Sequence, residues 1–256
     1  MSRNTAFAVL IGVTAVVIAA MFLSPRFPQP LAYHNFADAR PWLGIPRFGD
    51  VVSNLPFAIV GLWGLIFLRR WTRQCFLDPR ERWPYYFVFI GLVLTAFGSS
   101  YYHLAPDNAR LVWDRLPMTI VFMSLVAALI AERISVRAGV WLLPLLLAIG
   151  IASVVQWHLS EVAGHGDLRF YAAVQVYAGL VLLLMLLFPA RYTRTSDLAV
   201  VVGFYVLAKL LETFDRSIFD NLGHVVSGHT LKHLAGAAAG YWILRMLQRR
   251  RPLTPA

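Results

Sequence analysis

Five residues have types and spacing that could do chemistry: Ser99, His103, Asp114, His229 and His233. Ser99 and His103 stand four positions apart, on one face of a helix. His229-Thr230-Leu231-Lys232-His233 does the same for two imidazoles, the spacing by which one helix offers two ligands to one ion. With His103 that makes three nitrogen donors. Zinc held by three protein ligands keeps a fourth position open for water, the arrangement of catalytic rather than structural sites. Asp114 follows His103 after one short loop, so it lies at the same depth. A carboxylate inside a bilayer is costly unless it faces partners in the bundle, and a metal-bound water would be such a partner. The other histidines, His34, His158, His165 and His224, read as interfacial or supporting residues.

The elements that must position these groups are membrane helices. Of 256 residues 59% are hydrophobic and 14% charged, against about 45–50% and 25% in an ordinary soluble domain. Mean hydropathy is +0.63. A water-soluble enzyme, a disordered tail and a secreted disulfide scaffold are all excluded, the last also because Cys75 is the single cysteine. Eight apolar stretches are long enough to span, running roughly 5–23, 51–68, 84–103, 112–131, 139–157, 169–188, 197–214 and 229–247. The first reads as an uncleaved helix or signal anchor, being long for the apolar region of a cleaved signal. The chain thus divides into an N-terminal helix (1–23), a Pro-rich outer loop (24–50), a seven-helix domain (51–247) and a basic tail (248–256).

The net charge of +10 comes from 23 basic residues, 21 of them Arg, set in blocks such as Arg69-Arg70 and Arg249-Arg250-Arg251. Blocks beside apolar runs are orientation signals. Fourteen arginines fall on one side and seven on the other, which puts both termini in the cytoplasm and all seven histidines at the outer side. No basic, aromatic-interleaved face stands out, so no nucleic-acid partner is expected. Gly236-x-x-x-Gly240 reads as close helix packing, and Lys209 with Glu212 as a pair that neutralises itself in the bilayer.

Ser99-x-x-x-His103, Asp114 and His229-x-x-x-His233, in that order, resemble the signature of the alkaline ceramidases. These belong to the CREST group of membrane hydrolases, which also takes in the progestin and adipoQ receptors. The resemblance covers about residues 48–247, including Asp50-Val51-Val52-Ser53-Asn54-Leu55-Pro56. It implies an all-α seven-helix core with one extra N-terminal helix, and zinc on His103, His229 and His233. It further implies Asp114 as proton acceptor from the zinc-bound water and Ser99 as hydrogen-bond donor to the oxyanion. The implied activity is hydrolysis of the N-acyl bond of ceramide or a related lipid amide, in a bacterial-type inner membrane with the site toward the periplasm. The alternatives are a lipid ester hydrolase and an adipoQ-receptor-like sensor. A haem protein is disfavoured, because two histidines four apart on one helix compete for one ion. Calcium is not expected: Tyr33 to Asp50 holds only Asp38 and Asp50, with Arg47 where an acidic ligand would stand.

Overall fold

The computed structural model describes residues 2–70 and 75–253. Its helices, numbered here in chain order, are α1 (Arg3–Leu23), α2 (Phe48–Val52), α3 (Leu55–Arg70), α4 (Arg82–Leu104), α5 (Asn108–Arg133), α6 (Val136–Val162), α7 (Arg169–Met185), α8 (Ser196–Thr213), α9 (Asp215–Asn221) and α10 (Gly228–Arg249). No strand occurs among the described residues, so the all-α class expected from sequence holds.

Among the described residues five segments are long and apolar enough to cross a membrane: Arg3–Leu23, Phe48–Arg70, Pro79–Leu104, Asn108–Arg133 and Val136–Val162. The protein is a helical membrane protein. Helices α7, α8 and α10 occupy the positions of the other three expected spans but fall outside that group. α7 has only 17 residues, and the other two carry charge, Asp197, Lys209 and Glu212 in α8, Lys232, Arg245 and Arg249 in α10.

Several helices outrun their apolar stretches because polar caps extend them. The Asp107 carboxylate accepts from the Arg110 amide at 2.6 Å, so α5 starts four residues before the apolar run at 112. Ser135 caps α6 through the Ala138 amide, and Ser227 caps α10 through the Thr230 amide at 3.0 Å. The second expected span is interrupted: α2 ends at Val52 with Ser53 as its C-cap, and α3 begins at Leu55 just ahead of Pro56.

α4, α5 and α6 pack as successive neighbours, α3 lies on α4, α10 lies between α3 and α8, and α1 leans on α7. Small residues permit the tightest of these approaches. A Cβ on Gly240 would lie 2.7 Å from Leu92 of α4, and one on Gly236 2.9 Å from Phe57 of α3, so the glycine pair serves packing as expected. α1 buries little beyond Ala6 and Leu10, with the Thr14 hydroxyl 3.3 Å from that of Tyr177.

The alternation of helices gives the bundle two unlike ends. His103, Asp114, Glu212, His229 and His233 lie at one, the histidine end. Arg82, Arg133, Arg194, Arg249 and Arg250 lie at the other, the arginine end. There Arg250 is buried, paired with Glu132, with its Nε donating to the Cys75 carbonyl at 3.0 Å and its guanidinium 4.1 Å from the Tyr192 ring.

Candidate metal centre

His103 is in the last turn of α4, and His229 and His233 are in the first two turns of α10. All three are buried, and each offers a nitrogen within 4.8 Å of the others'. The Nε2 atoms of His103 and His229 are 3.2 Å apart. The sequence-based pairing of the two stretches is therefore realised in space.

Surrounding groups hold the imidazoles in place. His233 Nδ1 is 2.8 Å from Ser53 Oγ. The His229 amide donates to Asp215 Oδ1 at 2.7 Å, fixing the start of α10. Asp50 Oδ1 accepts from Thr230 Oγ1 at 2.9 Å and from Ser227 Oγ at 3.3 Å. His103 Nδ1 is buried without a hydrogen-bond partner.

The loop after α1 covers the cluster from the histidine end. The Phe36 ring lies 4.3 Å from that of His229 and 4.7 Å from that of His103, centroid to centroid. This loop is tied down along its length: the Gln29 amide to Glu161 at 2.6 Å, Tyr33 to Glu212 at 3.2 Å, His34 to Tyr102 at 2.8 Å and the Ala37 amide to Asp215 at 2.9 Å. Arg40 grips Asp38 with two hydrogen bonds, at 2.8 and 2.7 Å. Burial pushes the Asp38 carboxyl up, and Arg40 more than offsets this, holding it below the ordinary carboxylate value. His34 thus supports the covering loop, whereas His165 bonds the Ala163 carbonyl and His224 pairs with Asp220, both at the surface.

On the bundle side, a cavity of about 170 Å³ opens beneath the cluster. Its walls are mostly apolar, and its polar residues include Ser99, Asp114, Gln175, Glu212, Lys232 and His233. Ser99 and Asp114 are buried and line this space together, as their sequence positions implied. Glu212 accepts from Lys209 at 2.8 Å, the pair read from sequence, and also from Lys232 of α10. Lys232, Ser53, Phe36 and Asp215 were missed by sequence reasoning. Lys232 stands inside the quoted His229–His233 stretch, and Ser53 inside the Asp50–Pro56 stretch, so both were in view without a partner to give them meaning.

A buried three-histidine cluster in a helical membrane bundle defines the class: a membrane protein with a candidate metal centre. The chain belongs to the family described as dsRNA-gated channel SID-1, whose family model matches residues 3–227. Comparison with curated proteins finds no match. The family membership corrects the reading taken from the resemblance to alkaline ceramidases. The chain is not placed among lipid-amide hydrolases, the lipid ester hydrolase falls with that reading, and an enzymatic activity is not supported; the non-enzymatic alternative, an adipoQ-receptor-like sensor, is closer to a channel without being equivalent to it. The ceramide-like lipid substrate goes too, and so does the expectation of no nucleic-acid partner, because the family is described by its double-stranded RNA. The physical reason is that a motif of three His, Ser and Asp specifies a geometry, and one geometry on one fold serves unrelated tasks. The match ends at residue 227, just ahead of His229 and His233.

Proposed function

We propose that the protein is a membrane component of a double-stranded-RNA conduit whose histidine end is braced by zinc on His103, His229 and His233. The nucleic-acid half rests on family membership. A net charge of +10, carried mainly by arginine, agrees with it, since a basic surface raises the local concentration of a polyanion. The observation that carries the metal half is the 3.2 Å between the Nε2 atoms of His103 and His229. Two nitrogens bound at about 2.0–2.1 Å on a tetrahedral zinc stand about 3.3 Å apart. Two buried imidazoles this close share one hydrogen bond without a metal, whereas a cation between them takes the lone pair of each.

In this reading α3 to α8 and α10 form a seven-helix core, with α1 as an additional helix and residues 24–50 as the outer cover. The excess of arginine at the arginine end supports an orientation with that end and the basic tail from 248 in the cytoplasm; the membrane in this reading is a bacterial-type inner membrane. The interior cavity of about 170 Å³ is far too small for an A-form duplex, so a conducting path lies between chains or in another conformation.

Two measurements on detergent-purified full chain test the two halves. Elemental analysis is expected to find stoichiometric zinc, lost in His229→Ala with the helical content intact. Absence of zinc from wild type prepared without chelator overturns the brace. Vesicles carrying the protein are expected to bind and internalise fluorescent double-stranded RNA, with binding that weakens steeply as salt rises. Vesicles that do neither at low salt overturn the conduit.

A further inference from the structure

Ser53, the C-cap of α2, lies between a carbonyl oxygen that can only accept and a ring nitrogen that can donate or accept. Its Oγ lies 3.2 Å from the Asp50 carbonyl oxygen and 2.8 Å from His233 Nδ1. A carbonyl oxygen can only accept, and a hydroxyl has a single hydrogen to give. With that hydrogen on the Asp50 carbonyl, Ser53 Oγ must accept, so the hydrogen between Ser53 and His233 belongs to the imidazole. A neutral imidazole carries one N–H, so Nε2 is then the bare nitrogen, and it is the other ring nitrogen of a histidine packed against His103 and His229.

The two partners are buried, with Ser53 7% and His233 4% exposed, so water does not compete for either atom. The register is also clamped. Asp50, three residues before Ser53, receives the hydroxyls of Ser227 and Thr230 in the first turn of α10, at 3.3 and 2.9 Å. The same short stretch therefore fixes where α10 begins and how one of its histidines is turned. His103, with no partner at Nδ1, has no such constraint.

We infer that Ser53 is a positioning residue for the metal centre: through the chain Asp50 carbonyl, Ser53 hydroxyl, His233 Nδ1–H, it commits His233 to the tautomer whose Nε2 lone pair is free for a metal. This deepens the zinc reading of the three histidines and rests on it for its consequence, while the tautomer itself stands without any metal.

The test uses full-length protein in detergent, as Ser53→Ala and Ser53→Thr beside wild type. Nitrogen NMR of histidine-labelled, metal-free protein is expected to show His233, assigned by its loss in His233→Gln, as the Nδ1–H form. Ser53→Ala is expected to lose that preference and Ser53→Thr to keep it. In competition with a zinc chelator, Ser53→Ala is expected to bind about 10–100-fold more weakly, the usual cost of removing a group that orients a ligand, with Ser53→Thr close to wild type. Unchanged thermal stability of the metal-free Ser53→Ala protein separates positioning from general loss of structure. Wild-type His233 in the Nε2–H form, or Ser53→Ala with undiminished zinc affinity, overturns the inference. Wild type that takes up no zinc overturns the metal reading alone, and the NMR still decides the tautomer.

Discussion

Glu212 shows what a single carboxylate does at the histidine end. It accepts from Lys209, Lys232 and Tyr33, joining α8, α10 and the covering loop. Lys232 is the member most dependent on it, since its side chain is only 15% exposed. Glu212→Gln keeps the shape but leaves two ammonium groups facing a neutral amide, one of them largely shielded from water. It is expected to cost about 3–5 kcal/mol, the scale for breaking a buried pair from one side. Thermal unfolding in detergent reads this, and Lys232→Met added to Glu212→Gln is expected to recover part of the loss; a wild-type melting temperature in the single variant would contradict the role. Only half of this cluster was legible in the sequence. Lys209 and Glu212 are three apart on one helix, a spacing that announces contact, whereas Lys232 meets Glu212 only because α10 folds back along α8. The same holds for the site. The two four-residue spacings announced His229 with His233 and Ser99 with His103, but the serine that turns His233 comes from 180 residues earlier.

Among the elements, α10 carries the most constraint: two candidate ligands at its start, glycines in its middle and arginines at its end. Its glycines set how close it sits to α3 and α4. The Cβ position at Gly240 is 2.7 Å from Leu92, so Gly240→Leu forces the helices apart, while Gly240→Ala asks only for a shift of the Leu92 tip. The leucine variant is expected to lose about 1–3 kcal/mol and the alanine variant less, by denaturation in detergent. Equal stability of both would refute a packing role. The existence of the long helices was legible, because apolar runs of spanning length leave few other structures. Helix ends were less so: the caps at Asp107 and Ser135 carry α5 and α6 past the apolar boundary. The break between α2 and α3, where Ser53 and Asn54 both bond the Asp50 carbonyl, escaped hydropathy, and so did the short α9, whose Asp215 accepts from the distant Ala37 and His229 amides.

For the molecule as a whole, the arginine end is closed by its own tail. After α10 the chain turns, Leu253 donates to the Arg191 carbonyl at 2.9 Å, and Arg250 enters the bundle to meet Glu132. Glu132 also accepts from Tyr85 at 2.9 Å, and Arg191 reaches Glu81 at 3.1 Å. Arg250→Ala leaves Glu132 with the tyrosine alone and is expected to cost about 3–5 kcal/mol. It is also expected to speed thiol labelling of Cys75, which is buried beside Arg250; wild-type labelling rates would show that the tail does not close this end. Sequence reading treated these arginines as orientation signals, which burial of Arg250 shows to be an incomplete account. Function was the least legible level. Family membership, and not the three-histidine geometry, points to double-stranded RNA, because donor spacing records what a site can hold and is silent about what the membrane lets through.

The separation of the candidate ligands along the chain has a consequence for biogenesis. His103 and His229 are 126 residues apart, and two of the three donors sit on α10. Domains form as the chain emerges, N-terminal parts first, at about 5–20 residues per second. For several seconds α4 is therefore in the bilayer with a lone imidazole, and no three-donor site can exist until α10 has been released and inserted. Zinc loading, on the reading proposed above, has to wait for α10. Any product stopped before residue 229 lacks two of the three donors.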